Sequence, residues 1–209
     1  MEVSVVIPNF NGIAFLDSVL ASLEGQTLNN FEVILVDNGS TDGSCSFVTA
    51  NYPWVHLIEL SENFGFCGAV NAGIRAAKAP YVLLLNNDTE VKEDFVEEML
   101  AAIRRHKNAF SCGARMVQYH DRDKLDDVGN YYCALGWSFA RGRGKDIHAY
   151  ETEDRIFSAC AGAAIYRKKI LEKIGYFDEE HFAYLEDTDI GYRARIYGYE
   201  NWYAPKAIV

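Results

Sequence analysis

Tyr81-Val82-Leu83-Leu84-Leu85 is an unbroken apolar run that ends at Asn86-Asn87-Asp88. Successive side chains of a strand point to opposite faces, so this run needs cover on both sides, the situation of a strand inside a parallel sheet. A carboxylate at the carboxyl end of such a strand stands where open α/β sheets bind ligands. Hard oxygen ligands there suit Mg2+ or Mn2+ holding a substrate diphosphate, because these ions rarely sit in all-protein cages. Asn-Asn-Asp is also good turn chemistry, so residues 86–88 alone leave both readings open.

The segments around this run alternate in period. Val3 to Ile7 reads as a strand stopped by Pro8, and Ile13 to Leu23 has helical spacing of Phe15, Leu16, Val19, Leu20 and Leu23. Phe31 to Val36 and Val55 to Leu60 read as strands, Ser44 to Asn51 and Ala69 to Ala77 as helices, and Glu93 to His106 as an amphipathic helix. Strand and helix in alternation imply a mostly parallel, doubly wound sheet covered on both sides, with right-handed crossovers. The second half is less regular. Ser111 to Tyr119 and the apolar stretch Ile156 to Tyr166 are strand candidates, Lys168 to Ile174 and Asp187 to Tyr197 helices, and Asn201 to Ala204 a closing strand. Between them, residues 121–154 read as a long loop or lobe containing the basic, glycine-rich piece Arg141-Gly142-Arg143-Gly144-Lys145. Loops of that length in compact domains are functional lids or disordered.

At 209 residues, with 49% hydrophobic and 24% charged residues, the chain has the size and composition of one globular domain. Its formal charge of −10 argues against nucleic acid as a partner. It leaves room for a nucleotide whose phosphates a metal neutralises. The five cysteines, Cys45, Cys67, Cys112, Cys133 and Cys160, are odd in number and form no CxxC pair. They read as reduced, buried thiols of a cytosolic protein. No signal peptide is visible, and no apolar stretch approaches the ~20 residues that span a bilayer. The expectation is a soluble cytoplasmic protein, with any work at the inner face of the plasma membrane done through residues outside this chain.

Three further segments carry candidate chemistry. Asp37 ends the second strand within Val36-Asp37-Asn38-Gly39-Ser40-Thr41-Asp42-Gly43, where an acid either accepts hydrogen bonds from a ribose or base or closes a turn. Thr41 and Asp42 read as helix caps. The first strand-to-helix link, Pro8-Asn9-Phe10-Asn11-Gly12, has no GxGxxG, and no Walker lysine motif appears. Phosphates bound here therefore need another counter-charge, for which Asp88 with a divalent ion is the candidate. Glu186-Asp187-Thr188-Asp189 opens a helix. Its acids either complement the helix dipole, pair with Arg193 and Arg195, or present a general base to a cleft. The five histidines form no HxH or HxxxH pair and read as surface or core residues. The aromatic residues of 176–184 suit a platform for a sugar face or a core cluster.

Taken together, five segments resemble the family 2 inverting glycosyltransferases, whose fold is GT-A. They are residues 4–12, residues 36–43, Glu62-Asn63-Phe64-Gly65-Phe66 with Asn71-Ala72-Gly73, Leu84-Leu85-Asn86-Asn87-Asp88, and Glu186-Asp187-Thr188-Asp189. The Asn-Asn-Asp and Glu-Asp-x-Asp forms look most like the rhamnosyltransferase-type branch. The resemblance implies a single domain over 1–209, with a nucleotide-sugar half (1–110) and an acceptor half (111–209). It implies Pro8, Asn9, Asn11, Asp37, Asn63, Gly68, Asn71 and Asn87 around the nucleotide-sugar, and Asp88 as the ligand of Mn2+ or Mg2+. Asn86 stands where the family motif has its first acid. Asp187 matches the catalytic base, with Glu186 beside it placing the acceptor. Ala161-Gly162-Ala163-Ala164 resembles the small-residue strand beside the acceptor cleft.

The implied reaction moves a sugar from a UDP- or dTDP-sugar to an acceptor hydroxyl with inversion, in cell-envelope polysaccharide or other glycan synthesis. The implied partners are a nucleotide-diphospho-sugar donor and a saccharide or lipid-linked acceptor. Members of this branch commonly continue past a segment like Tyr203 to Val209 with a metal-binding histidine, so C-terminal truncation is expected. The rival readings are a non-catalytic nucleotide-sugar-binding module, which the retained Asp37, Asp88 and Asp187 oppose, and a nucleotidyltransferase. The latter ordinarily needs a glycine-rich basic loop that residues 8–12 lack.

Overall fold

The computed structural model describes residues 1–209. In the first half the strands are β1 (Val3–Asn9), β2 (Phe31–Asp37), β3 (His56–Glu59) and β4 (Tyr81–Leu85). Between and after them run α1 (Ile13–Glu24), α2 (Ser44–Asn51), α3 (Gly65–Ala76) and α4 (Phe95–Arg105). The second half adds β5 (Ala109–Val117), β6 (Leu125–Asp127), β7 (Asn130–Tyr132), β8 (Ser138–Ala140), β9 (Asp154–Ile156) and β10 (Ala163–Arg167). It closes with α5 (Lys168–Ile174), a 3-10 turn at Glu179–His181, α6 (Glu186–Ile196) and β11 (Glu200–Ile208).

The main sheet runs β3-β2-β1-β4-β10-β5-β11-β9, with β6 added to β5. β1, β2, β3 and β4 are parallel, β10 lies antiparallel between β4 and β5, and β11 is parallel to β5. The chain winds outward from β1 to β3 and then returns to the other side of β1 as β4. That reversal is a topological switch point, and it opens a crevice at the carboxyl ends of the strands. β1 stays with β2 as far as Asn9–Asp37 but leaves β4 after Val6–Leu84. Pro8, which has no N–H to give, therefore lies past the last β1–β4 pair.

Strand alternation distributes the core over both faces. Val5, Ile7, Leu83 and Leu85 pack beneath α1 and α4, whereas Val6, Ile34, Val36 and Leu84 pack beneath α3. The unbroken apolar character of β1 and β4 follows from this double cover.

Two sequence expectations are corrected. Ile156 to Tyr166 is not one strand. β9 pairs with β11 at the sheet edge, β10 sits between β4 and β5, and residues 157–162 turn between them. The stretch is apolar enough for a strand, but Ser158 to Gly162 are small, and small side chains let the turn slide under α6. A Cβ on Gly191 would come within 2.4 Å of Ser158 Cβ. The thiols are also not uniformly buried, because only Cys67 and Cys112 are, while Cys45, Cys133 and Cys160 are partly exposed. Residues 121–154 form a folded lobe. Its anchor is the buried Arg141, whose Nη2 donates to Asp154 at 2.7 Å and whose guanidinium lies 4.6 Å from the Tyr150 ring centre and 5.7 Å from that of Tyr203.

α3 lies close against the sheet because Gly73 has no side chain; a Cβ there would meet Val6 Cγ1 at 2.3 Å. Gly73→Ala is expected to lose about 1–3 kcal/mol through overpacking, despite alanine's better helix propensity. Urea denaturation measures the loss, and Val6→Ala in the same chain should recover part of it.

Candidate active site

The carboxyl ends of β1, β2 and β4 are tied by a polar network. Asn9, 1% exposed, donates Nδ2 to Asp37 Oδ1 at 2.9 Å, and its Oδ1 accepts from Asn87 Nδ2 at 2.7 Å. Asp37 Oδ2 accepts from the Ser40 N–H at 2.9 Å. Asn11 takes φ 49°, a left-handed conformation that asparagine tolerates. From there its N–H donates to Ser40 Oγ and its Oδ1 accepts from the Thr41 N–H, each at 2.8 Å. Asn38 donates to Asn63 Oδ1 at 2.8 Å, and Asn63 in turn accepts from Gly65 N–H at the start of α3 at 2.8 Å. Gly12 must be glycine here, since a Cβ would fall 2.1 Å from Asn87 Nδ2 and 2.5 Å from Asn9 Oδ1. Asp42 joins two helix starts, accepting from Ile13 N–H at 2.9 Å and from Ser44 N–H at 3.0 Å.

Pro8, Asn9, Asn11, Asp37, Asn63 and Asn87 thus gather around the crevice, but Gly68 and Asn71 do not join them. Gly68 is buried within α3, where a Cβ would meet Phe64 Cβ at 2.6 Å. Asn71, 1% exposed, donates to Phe177 O at 2.8 Å and Glu179 Oε1 at 2.9 Å and accepts from Phe177 N–H at 3.1 Å. Both donors and the carbonyl are committed to the segment leading into α6. Buried polar groups take the partners nearest to hand.

Asp88 differs from the other acids of the network. It is exposed, and its carboxylate accepts no hydrogen bond. It lines a cleft of about 510 Å3 with Asn86, His120, Asp121, Asp126 and Arg143. No three His, Cys, Asp or Glu side chains converge well enough to hold a metal by themselves. A single carboxylate on an open cleft fits an ion such as Mn2+ or Mg2+ that takes its remaining ligands from phosphate and water.

Across the crevice, α6 presents its three first-turn acids in three different settings. Asp189 is bound by Arg193 at 2.6 Å, the i, i+4 pairing. Arg193 also donates to the Ile174 and Tyr176 carbonyls at 2.9 Å each, so that pair locks α5 to α6. Asp187 is partly buried, with Asn130 Nδ2 at 3.2 Å and Thr188 Oγ1 at 3.3 Å. Burial raises its pKa, opposed by hydrogen bonds from Asn130, Thr188 and the Ala161 N–H. Glu186, 8% exposed, has an Oε2 without any partner, and burial followed by the charge of Asp187 raises its pKa. The Tyr166 hydroxyl is likewise buried without a partner.

The backbone leading into α6 is strained. The Ala183 N–H donates back to His181 O at 2.5 Å, which closes a γ-turn with Phe182 at φ 56°, ψ −60°. Tyr184 and Leu185 follow at φ 71° and 67°. Three non-glycine residues in this region within four positions cost free energy that the surroundings must supply. Part of that support is α3, whose Cys67 N–H donates to Phe182 O at 3.3 Å. Gly65 leaves the room, since a Cβ on it would lie 2.6 Å from that oxygen. Phe177 is buried, whereas Phe182 and Tyr184 are exposed, so the aromatic segment supplies both a core residue and a surface.

Sequence reasoning missed Asp127 and Asn130. Asp127 on β6 is 6% exposed and accepts the Gly129 N–H at 2.6 Å. Burial first, then the charges of Asp187 and Asp126, push its pKa to about 7. Asn130 bridges Ser158 Oγ at 3.1 Å and Asp187. The one local signal was Asp126-Asp127-Val128-Gly129-Asn130, where Gly129 takes φ 104°. Nothing in that pentapeptide tells a buried acid from a turn acid.

Because the folded state holds the Asp127 proton more tightly than the unfolded chain does, stability falls as pH rises from the ordinary carboxyl value of 3.8 towards about 7 and levels beyond it. Asp127→Asn keeps an acceptor for Gly129 and removes the titration. Between about pH 5 and about pH 8 the variant should gain on the order of 2–3 kcal/mol relative to wild type. Urea unfolding at the two pH values measures this, and parallel profiles would show that Asp127 does not titrate in this range.

Residues 4–175 match the family profile described as Glycosyl transferase family 2. An N-acetylglucosaminyl-diphospho-decaprenol L-rhamnosyltransferase of Mycobacterium tuberculosis is 27% identical over 227 residues, covering 98% of this chain and 74% of that protein. Glycosyltransferase GlyG of Streptococcus pneumoniae is 31% identical over 133 residues, covering 62% of this chain and 42% of GlyG. Among solved structures, residues 1–349 of S. aureus TarS in complex with UDP match with a TM-score of 0.71 at 21% identity, over 100% of this chain and 61% of that one. GalNAc-T7 with UDP, GalNAc and Mn2+ matches with a TM-score of 0.80 at 16% identity, over 98% of this chain and 42% of that one. These solved chains share the fold. The family match spans most of the sequence, and the chain belongs to glycosyl transferase family 2, with the GT-A fold.

Proposed function

We propose that this chain transfers a sugar from a nucleotide-diphosphate donor to an acceptor hydroxyl, with inversion at the anomeric carbon. The observation that carries this reading is the turn at residues 157–162. Gly162 O accepts the N–H of Asn86, just past the end of β4, at 2.9 Å, while Ser158 of the same turn holds Asn130, whose Nδ2 reaches Asp187 at 3.2 Å. One short turn therefore links the segment that carries the free carboxylate after β4 to the half-buried carboxylate of α6.

In this reading residues 1–110 supply the donor side and 111–209 the acceptor side of one domain. Asp37 has lone pairs left for a ribose or base, within a network that holds Asn9, Asn11 and Asn87 in place. Asn63 steadies the link from β3 to α3, and Pro8 lies where β1 leaves β4. Asp88 would hold Mn2+ or Mg2+ together with the donor diphosphate. When bound, the ion neutralises charge on the departing group. Asp187 accepts the proton of the acceptor hydroxyl as its oxygen bonds to the anomeric carbon. The bond from that carbon to the donor phosphate breaks, and the diphosphate leaves with its electron pair. A raised pKa makes Asp187 a stronger base than a solvated aspartate, and Asn130 and Thr188 fix its direction. Glu186, buried next to it, helps to place the acceptor.

The relatives narrow the substrates. The M. tuberculosis relative is named for a diphospho-decaprenol-linked acceptor, and TarS 1–349 has been solved with UDP and with UDP-GlcNAc. A UDP- or dTDP-sugar donor and a lipid-linked or saccharide acceptor of cell-envelope glycan synthesis are the substrates assigned on that likeness.

The melting temperature with UDP or dTDP, each with and without Mn2+, tests the donor site, because a ligand of the native state raises it by mass action. A rise that needs nucleotide and metal together is expected; no rise with any combination would remove the donor site. Asp88→Ala should abolish the metal-dependent part of the rise. Asp187→Asn should keep the rise and lower transfer by about 10²–10⁴-fold, and near-native transfer would exclude Asp187 as the base.

A further inference from the structure

The β7–β8 hairpin carries an exposed apolar surface that the transfer chemistry does not use. Tyr131, Leu135, Trp137 and Phe139 are 53%, 85%, 66% and 49% exposed, with Tyr131 opposite Phe139 in the β7–β8 pair. Contiguous exposed apolar surface of this kind marks an interaction site. We propose that this hairpin docks the chain on an anionic lipid bilayer. The proposal extends the transferase reading, since it places the lipid surface beside the acceptor-side base.

The charge pattern selects the occupant. Residues 130–145 contain Arg141, Arg143 and Lys145 and no acid, in a chain whose net charge is −10. Arg141 is spent within the fold on Asp154, but Arg143 and Lys145 are exposed. Arg143 reaches only a 3.8 Å contact with Asp126. Leucine with tryptophan and tyrosine suits the acyl–headgroup boundary, where an amphipathic ring has one wet and one dry side. Flanking cations suit anionic headgroups, and an apolar anchor joined to a basic patch is the two-signal arrangement that makes interfacial binding stable.

The hairpin is built to hold that surface out. Its tip closes by the Cys133 N–H to Trp137 O bond at 3.0 Å, with Gly136 at φ 86°, so Leu135 and Trp137 stand at the end. Its base is fixed to the crevice through Asn130 to Asp187 at 3.2 Å and Ser138 to Thr188 at 3.0 Å. Behind it, Tyr132 stacks on Phe157 with ring centres 4.5 Å apart, and Tyr192 of α6 stacks on Phe157 at 5.8 Å. On the other side of the first turn of α6, Phe182, Tyr184 and Leu185 are 55%, 85% and 59% exposed. No helix of the chain is long and apolar enough to cross a membrane. Contact through these two segments sets Asp187 near the headgroup layer, where a lipid-linked acceptor presents its hydroxyl.

The test uses the full chain with phosphatidylcholine vesicles, with and without phosphatidylglycerol. Sedimentation with the phosphatidylglycerol vesicles, weakened by salt, is expected, together with a blue shift of tryptophan emission. Leu135→Ser with Trp137→Ser should lower vesicle affinity by about tenfold or more, and Arg143→Gln with Lys145→Gln should lower it selectively on anionic vesicles. The tip variant alters exposed side chains outside the Asp88 cleft and should keep the melting temperature and its rise with UDP and Mn2+. Failure to sediment with anionic vesicles, or undiminished binding by the tip variant, would overturn the proposal. So would a dimer in light scattering that the tip variant converts to monomer, which would make a second copy the occupant. Vesicle binding without any nucleotide-dependent rise would uphold the docking surface while removing the transferase reading.

Discussion

The insertion of β10, antiparallel, between β4 and β5 is the constraint on which the rest of the site depends. A wholly parallel sheet would bring the chain back along the covered faces and leave the end of β4 with no neighbour from the second half. The antiparallel strand instead begins at the carboxyl end of β4, through the Ala163–Leu85 pair. The turn that feeds it, residues 157–162, must therefore pass over the mouth of the crevice. Residues 158–162 of that turn have to be small, because α6 crosses it at Gly191. Gly162 of that turn accepts from Asn86, and Ser158 holds the Asn130 that reaches Asp187.

A second consequence is electrostatic. Asp127, Glu186 and Asp187 are brought into one poorly solvated region, where burial raises the pKa of all three and the charge of Asp187 raises those of Asp127 and Glu186 further. The pairing that would relieve this is withheld. Arg193 is directed to Asp189, and Arg141 to Asp154, so these guanidinium groups neutralise acids outside the cluster. What remains around Asp187 is neutral hydrogen bonding from Asn130, Thr188 and backbone. That environment keeps a carboxylate available to take a proton, whereas an arginine contact would have weakened it as a base.

The sequence made some of this legible and hid the rest for identifiable reasons. The alternating half was readable because β1, β2 and β4 are covered on both faces, so their apolar runs are continuous, and α4 shows its amphipathic period plainly. The i, i+4 pairing of Asp189 with Arg193 was among the readings of the acidic cluster, and it holds for that acid alone. Periodicity could not see that residues 156–166 contain a turn, since small apolar residues satisfy a strand pattern and a tight crossing equally well. Nor could it see Asn71, whose partner Phe177 is 106 residues away, or Asp127, whose burial comes from a lobe that carries little pattern of its own. Local chemistry announces turns and caps; it does not announce which polar residue the tertiary fold will enclose.

The strained entry to α6 joins these themes. Phe182, Tyr184 and Leu185 hold left-handed backbone conformations that side-chain-bearing residues avoid, and the compensation is spread over both halves of the molecule. Cys67 N–H binds the Phe182 carbonyl, Gly65 yields the space for it, and Asn71 clamps Phe177 from the same helix. A helix packed on the first half of the sheet thereby sets the backbone that carries Asp187 in the second half. The exposed rings of this segment and of the β7–β8 hairpin flank the same first turn of α6, so whatever surface they meet is coupled to the carboxylate by rigid structure. Strain here follows from a geometric demand. The chain must turn sharply to start a helix at the crevice, and it must leave its apolar side chains outside while doing so.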